Sequence, residues 1–432
     1  MTDGAARLLE LLGDDELKER ALSRLTSRDP LRFWTSGQWM TERTGGSDVG
    51  RAETIARRDG KQFRLYGPKW FTSATTSQMA MTLGRIEDDD GSVPAGSRGL
   101  SLFYLETTNA QGELNAIEIH RLKDKLGTRA LPTAELDLCG TPARLLGKPG
   151  DGVRNIAHLL NITRIYNAIT SVAFMQRGLA LARDYARRRE AFGRTLAQLP
   201  LHVETLADLE VELHGAFHLA FHAVELLGKQ ECNTATDDER AVLRLLTPLT
   251  KLYTGKRAVS LMSEVVECFG GAGYVEDSAL PRLLRDTQVL SIWEGTTNVL
   301  SLDALRAIDK EQALGPLLRT TAQRLEQISR GELSVARDHA RQALGALKAH
   351  LPHAMDLGLE AVQTGARRFA FGLARTFAAG LLLEHAQWAA DNEDPFAAVA
   401  IGAARRWCQQ GLAPLVDANE AYRAESRTLS RC

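Results

Sequence analysis

The stretch "SIWEGTTNVLSL" sets one carboxylate, Glu294, between an aromatic residue, Trp293, and Gly295. An apolar, helix-like run over residues 299–305 follows at once. Placing an acid in such company has a desolvation cost, so the group is paired, caps the helix, or does chemistry. Capping or a charge–dipole role would account for the carboxylate. It would leave Trp293 and the polar Thr296-Thr297-Asn298 run unexplained. A carboxylate in a dry, aromatic-lined slot has its acid form favoured, which suits proton abstraction as a general base.

Four other stretches carry residues that could serve such a centre. In "SGQWMTERTGGSDVG", a strand ending at Met40-Thr41 meets Gly45, Gly46 and Ser47, where backbone N–H groups and hydroxyls can approach a polar ligand. A plain hairpin turn reads equally well. In "GPKWFTSATTS", Trp70 and Thr72 share strand parity and are expected on one face, a ring for stacking beside a hydroxyl for hydrogen bonding. In "RRREAFGR", Arg189 stands three residues before Phe192 at a helix end. There a guanidinium complements the helix dipole or clamps a pyrophosphate. In "ECFGGAGY", Glu267 ends a helical run and Gly270-Gly271 reads as a C-cap that also admits a close ligand.

The elements around these stretches change texture twice. A short helical start, residues 1–33, gives way over 34–149 to Gly-, Thr- and Ser-rich chain with alternating runs such as "QFRLYG", "MAMTLGRI", "GLSLFYLE" and "TAELDL". From 150 the pattern is helical, with long segments over 153–188, 199–229, 239–269 and 296–308. A last helical block, 311–432, is expected to break at Gly331, Pro352 and "DNEDP". Strands first and helices after predict an α+β fold by segregation.

Composition narrows the class. The chain has 432 residues, 44% hydrophobic and 25% charged, with 53 Lys+Arg against 54 Asp+Glu. A formal net charge of -1 gives no global basic field for nucleic acid. Five scattered cysteines without metal spacing point to unpaired thiols and no metal site. No run reaches the roughly 20 apolar residues of a membrane span. The acidic, amphipathic "MTDGAARLLELLGDDELKER" resembles neither a secretory signal nor a transit peptide, so an intracellular compartment is expected, cytoplasmic or organellar.

In this order, "WMTERTGGSDV", "KWFTSA", "RLKDKLGTR", "RREAFGR", "CFGGAGY" and "SIWEGTTNVLSLDALR" resemble the acyl-CoA dehydrogenase superfamily, most closely its AidB-like branch. The likeness is strong over residues 34–308 and one of type only beyond. It implies an acyl-CoA dehydrogenase-like fold with a middle β-barrel-like domain, a helical bundle (150–310) and an added C-terminal helical extension. It also implies FAD as cofactor and an acyl-CoA substrate. Met40, Thr41 and Ser47 then fall on positions lining flavin and thioester. Trp70 and Thr72 match residues at the flavin ring. Arg189, Phe192, Glu267, Gly270 and Gly271 match contacts to the adenosine and pyrophosphate end of a neighbouring subunit's FAD, which implies a homodimer or homotetramer. The family more often has Gln at the position of Glu267. Thr296 and Asn298 match further FAD contacts, while Asn161, Arg164, Gly295 and Ser47 fall on the substrate side.

Glu294 matches the catalytic base of α,β-desaturation. Some relatives carry the base on the first bundle helix, at or beside Thr163, and a threonine there leaves Glu294 as the candidate. Relatives usually have more than a hundred residues ahead of the "MTE" strand, against about thirty-five in this chain, so residues 1–33 are expected to be the remnant of a truncated N-terminal helical domain, the alternatives being a naturally shortened protein or a pocket closed by another chain. The branch also holds members linked to DNA protection or to sequestering acyl chains, a non-catalytic alternative. In the last block "AARRWCQQ" is offset by "DNEDP", which argues against strong DNA binding. A third reading makes that block an oligomerisation bundle. These motifs specify neither the acyl chain length nor the electron acceptor.

Overall fold

The computed structural model describes residues 1–431 and falls into two units, residues 1–163 and Arg164 onward. In the first, the alternating runs form seven strands: β1 Ser36–Trp39, β2 Ile55–Asp59, β3 Gln62–Ser73, β4 Met79–Ile86, β5 Leu100–Glu106, β6 Ile117–Leu122 and β7 Thr133–Leu146. Strands pair in the order β4-β2-β3-β7-β5, and β5 returns to β4, closing a barrel-like ring. β1 runs parallel to β4, with Trp39 opposite Thr82, and β6 lies on the outer side of β7. The tight β2–β3 connection places Gly60 at φ 62, the positive φ that a two-residue hairpin turn wants.

Alternation decides which side each residue serves. Ala80, Phe103, Leu105, Leu136 and Leu138 face one core with Trp39 and Phe63. Met79, Met81, Leu83, Leu100 and Leu102 face another. That second face is covered by helix α1, Thr2–Leu12, through Ala5, Leu8 and Leu9, and by Ile156 and Leu159. β4 is therefore buried along its whole length.

The second unit is helical. Its elements are α2 Gly152–Arg188 (whose first turns belong to the first unit), α3 Pro200–Glu231, α4 Asp237–Cys268, α5 Leu280–Gln288, α6 Thr297–Glu311, α7 Leu314–Glu326, α8 Ser334–Asp356, α9 Leu359–Asp391, α10 Ala397–Gln409 and α11 Glu420–Ser430. A reciprocal Thr236–Glu239 capping box starts α4. Of the expected breaks, "DNEDP" separates α9 from α10 and Gly331 lies in a short 3-10 turn. Pro352 does not break the chain: it sits inside α8, which continues to Asp356 and stops before Gly358 at φ 96. Neighbouring Leu347 and Ala354 stay buried, and their packing outweighs the single backbone bond that proline forfeits.

The C-terminal block shares one core with the bundle. Leu245, Leu249 and Tyr253 of α4 pack with Phe369 and Phe377 of α9 and Trp407 of α10. Trp407 is fully buried, and a Cβ on Gly215 of α3 would stand 2.1 Å from its ring. Only glycine fits there.

Candidate functional site

The opening tetrad folds as a tight corner before α6. Thr296 is the N-cap of that helix, its hydroxyl accepting from Val299 N, so the capping role open to Glu294 falls to Thr296. Glu294 instead takes φ 59 and Gly295 φ 106. A left-handed conformation costs a glutamate about 1–3 kcal/mol and persists only where surroundings enforce it. Two cations do so. Arg164 Nε of α2 donates to the Glu294 carbonyl at 3.2 Å, and Lys251 Nζ of α4 donates to the Gly295 carbonyl at 2.6 Å. Arg164 is itself fixed by Asp303 at 2.7 Å, and Asp303 is shared with Arg244 at 2.9 Å. Burial would raise the Asp303 carboxyl, but the two guanidinium groups outweigh it and hold it below the ordinary range.

Lys251 is 1% exposed. Burial drives its pKa down to about 7, against the attraction of Glu294 and with the repulsion of Arg164. Glu294 itself is half-buried, and the indole N–H of adjacent Trp293 is buried without a partner. A half-buried carboxylate therefore directly follows an indole whose donor is unsatisfied. Thr163 donates its hydroxyl to the Leu159 and Leu160 carbonyls, as a helical threonine does, and Asn161 is half-buried one turn before Arg164.

In the β unit, a buried ion pair that no local sequence pattern announces joins the loop after β1 to β3. Lys69 Nζ bonds Glu42 Oε1 at 2.8 Å, and Thr54 Oγ1 donates to the same oxygen at 2.6 Å. Burial alone would raise the Glu42 carboxyl, yet Lys69 and the donors from Glu53 and Thr54 bring it below its ordinary value. The pair sets flanking residues side by side: Trp70 N donates to Thr41 O at 2.9 Å. Gly46 lies against Thr41, whose Oγ1 would stand 2.7 Å from an added Cβ. Met40 is buried, Ser47 is exposed at the loop, and Trp70 is half-exposed with Lys123 Nζ 3.7 Å from its ring centroid. Thr72 is fully buried and donates to Ala134 O at 2.8 Å. The expected common face for Trp70 and Thr72 is interrupted by a register shift between Lys69 and Thr72, which gives the two different exposure.

In the helical unit, Arg189, Glu267, Gly270 and Gly271 line one cleft of about 590 Å³ with Tyr185 and His202. Gly270, at φ 58, ends α4, and neither it nor Gly271 has an atom within 4 Å of where a Cβ would be. Gly273, passed over in the sequence, is the sterically demanding one: its Cβ would meet Val266 O at 2.2 Å. Phe192 is not in the cleft. It stands 94% exposed at the tip of the short hairpin pairing Glu190–Ala191 with Arg194–Thr195. Asn298, exposed on the first turn of α6, accepts from Arg367 at 3.3 Å.

Three comparisons bear on this arrangement. Family profiles described as "Acyl-CoA dehydrogenase, middle domain", "Acyl-CoA dehydrogenase, C-terminal domain" and "Acyl-CoA dehydrogenase 11 C-terminal domain-like" match residues 37–140, 150–308 and 312–431. The Caenorhabditis elegans protein "Acyl-CoA dehydrogenase family member 11" is 45% identical over 99% of this chain and 70% of its own length. The chain belongs to the acyl-CoA dehydrogenase family. The "Putative acyl-CoA dehydrogenase AidB" of Escherichia coli is 37% identical over 70% of this acyl-CoA dehydrogenase, which spans 53% of that protein. The crystal structure of C. elegans ACDH-11 in complex with C11-CoA superposes with a TM-score of 0.94 at 44% identity, covering 99% of this chain and 74% of that one.

The family is one of FAD-dependent oxidoreductases, and the residues of this acyl-CoA dehydrogenase fit that cofactor. The cleft beside Gly270-Gly271 offers a guanidinium and an open backbone suited to a pyrophosphate, plus a buried His202 Nε2 lacking a partner. Among the described residues, no group is arranged to hold a metal and no helix is long and apolar enough to cross a membrane.

Proposed function

We propose that this chain desaturates an acyl thioester between its α and β carbons, with Glu294 taking the α proton. The observation that carries the reading is the strained corner at Glu294-Gly295, braced by Arg164 and Lys251 from two different helices. An α proton beside a thioester is weakly acidic, so its base must be held close and dry. Bracing both carbonyls fixes the backbone from which the carboxylate projects, so little reorganisation is needed when the proton moves. FAD, when bound, supplies the acceptor for the hydride leaving the β carbon, so one protein carboxylate suffices.

Met40, Thr41, Ser47, Trp70, Thr72, Thr296 and Asn298 are proposed to contact the flavin, with Ser47, Asn161, Arg164 and Gly295 on the substrate side. Arg164 would act there through the loop, since its guanidinium is committed to Asp303 and Glu294. Arg189, Phe192, Glu267, Gly270 and Gly271 would hold the adenosine end. The exposed Phe192 supports a partner subunit covering that cleft, hence a homo-oligomer. The C11-CoA bound by the worm relative supports an acyl-CoA substrate.

The non-catalytic alternative, DNA binding by the last block, is less favoured: Arg330, Arg406 and Arg423 there are paired with Asp391, Glu204 and Glu420. Exchange of the α protons of a non-oxidisable acyl thioester in deuterated water isolates the proposed proton step. The wild-type chain should catalyse exchange and Glu294→Gln should not; equal exchange by both would refute Glu294 as the base.

A further inference from the structure

A second cleft, of about 580 Å³, opens where α3, α4, α9 and the turn after α10 meet. Its walls carry four guanidinium groups, from Arg257, Arg367, Arg368 and Arg375, and a single carboxylate, Glu212. That carboxylate is already engaged. It accepts from the Tyr253 hydroxyl at 2.5 Å and lies 3.7 Å from both Arg257 and Arg375. Arg375 is 4% exposed. It donates to Tyr253 Oη at 2.9 Å and reaches Gln410 Oε1 at 3.5 Å, while its Nε and that of Arg257 are buried without a hydrogen-bond partner. Arg367 donates to the neutral amide of Asn298, and Arg368 has no ion-pair partner among the described residues.

Elsewhere in the same helical block arginines are matched with acids: Arg324 with Glu384, Arg330 with Asp391, Arg406 with Glu204. Concentrating four guanidinium groups, one of them buried, around one occupied carboxylate is unfavourable unless an anion joins them. Guanidinium forks match phosphate oxygens in pairs. Phe371 supplies an aromatic wall, and the volume is that of a small-molecule site rather than a bare ion.

We infer that this cleft binds a phosphate-bearing organic anion of the nucleotide class, with phosphates on the arginines and a planar base against Phe371. The site lacks Arg189, Glu267 and Gly270-Gly271, the residues of the cleft assigned to flavin adenosine. Arg367 reaches Asn298, one of the proposed flavin contacts, so the second cleft adjoins the flavin residues without sharing one, and the two sites are expected to fill together.

The test uses the FAD-loaded protein titrated calorimetrically with ADP and, separately, with inorganic pyrophosphate. Saturable binding of ADP should occur with flavin retained in the visible spectrum, weaken as salt is raised, and fall about tenfold or more in Arg368→Gln and in Arg257→Gln. Arg368 is exposed, so its replacement leaves the core untouched. Four results would each overturn the inference: no ADP binding to the holoprotein, ADP binding that releases FAD, ADP affinity unchanged in both variants, or retention of duplex DNA by the same arginines without ADP binding.

Discussion

Lys251 Nζ grips the carbonyl of Gly295 at 2.6 Å, one residue past Glu294, the proposed base. Replacing it with methionine, close in volume, leaves that buried acceptor unsatisfied, which costs about 1–3 kcal/mol. The same change frees the corner from its left-handed geometry. Acyl-CoA-dependent flavin reduction is predicted to drop about tenfold or more in Lys251→Met, with FAD still bound. Stopped-flow absorbance checks this, and an unchanged rate would show the brace to be unimportant.

The same lysine predicts a pH signature. Burial brings its pKa from the ordinary 10.5 to about 7, so the folded protein binds fewer protons than the unfolded chain between those values. Stability from this group therefore rises as pH increases from about 7 toward 10.5. The flavin-reduction rate should show an inflection near 7 as the ammonium discharges. Lys251→Met should lack both effects, measured by thermal melts and by pH–rate profiles.

His218 and His222 of α3 predict the acid limit. Burial, with His385 and His214 nearby, pushes His218 down to about 3; burial and Arg324 push His222 down to about 4, against the opposing Glu225. Both are neutral in the fold yet protonate in the unfolded chain near 6.5, so stability falls as pH drops below about 6.5. A His218→Phe variant should melt with a shallower acid dependence than the wild type. Parallel melting curves between pH 4 and 6.5 would contradict this.

Trp407 ties the C-terminal block to the bundle across Gly215, with its indole N–H donating to Arg375 O at 3.0 Å. Trp407→Ala should destabilise the fold by about 3–5 kcal/mol, read from denaturant unfolding. A chain ending near Ala313 should expose Leu245, Leu249 and Tyr253 and aggregate. A soluble, flavin-binding fragment of that length would show the block to be a detachable module.

Arg189 is the cation at the cleft assigned to the flavin adenosine. Arg189→Gln should weaken FAD binding by about 10–100-fold, the weight of a charge-assisted bond to phosphate. Equilibrium dialysis against flavin reads this directly.

The proposed site residues stand out in sequence because each lies in a short motif with aromatic, glycine and charged residues at close spacing. Their supports do not. Lys251 and Gly295 are 44 positions apart, and Arg164 and Asp303 are 139 apart, distances at which local pattern carries no pairing information. A lone lysine in the apolar run "LTPLTKLYTG" was the one available signal. Glu42 and Lys69 were hidden differently: each sits inside a motif, but nothing local says that two charges would face one another in a dry interior. β2 and β6 escaped reading as separate strands because "IARRD" and "IEIHRL" carry charges on an open side rather than clean alternation. Pro352 was taken for a break where packing sustains the helix.

One measurement reaches the centre of the account: anaerobic addition of an acyl-CoA to the FAD-loaded protein, with Glu294→Gln as its partner. Wild type should bleach its flavin absorbance, while Glu294→Gln, with equal flavin content, should bleach about 100–10,000-fold more slowly. Equal bleaching in the two proteins, or none in the wild type across acyl chain lengths, would contradict it.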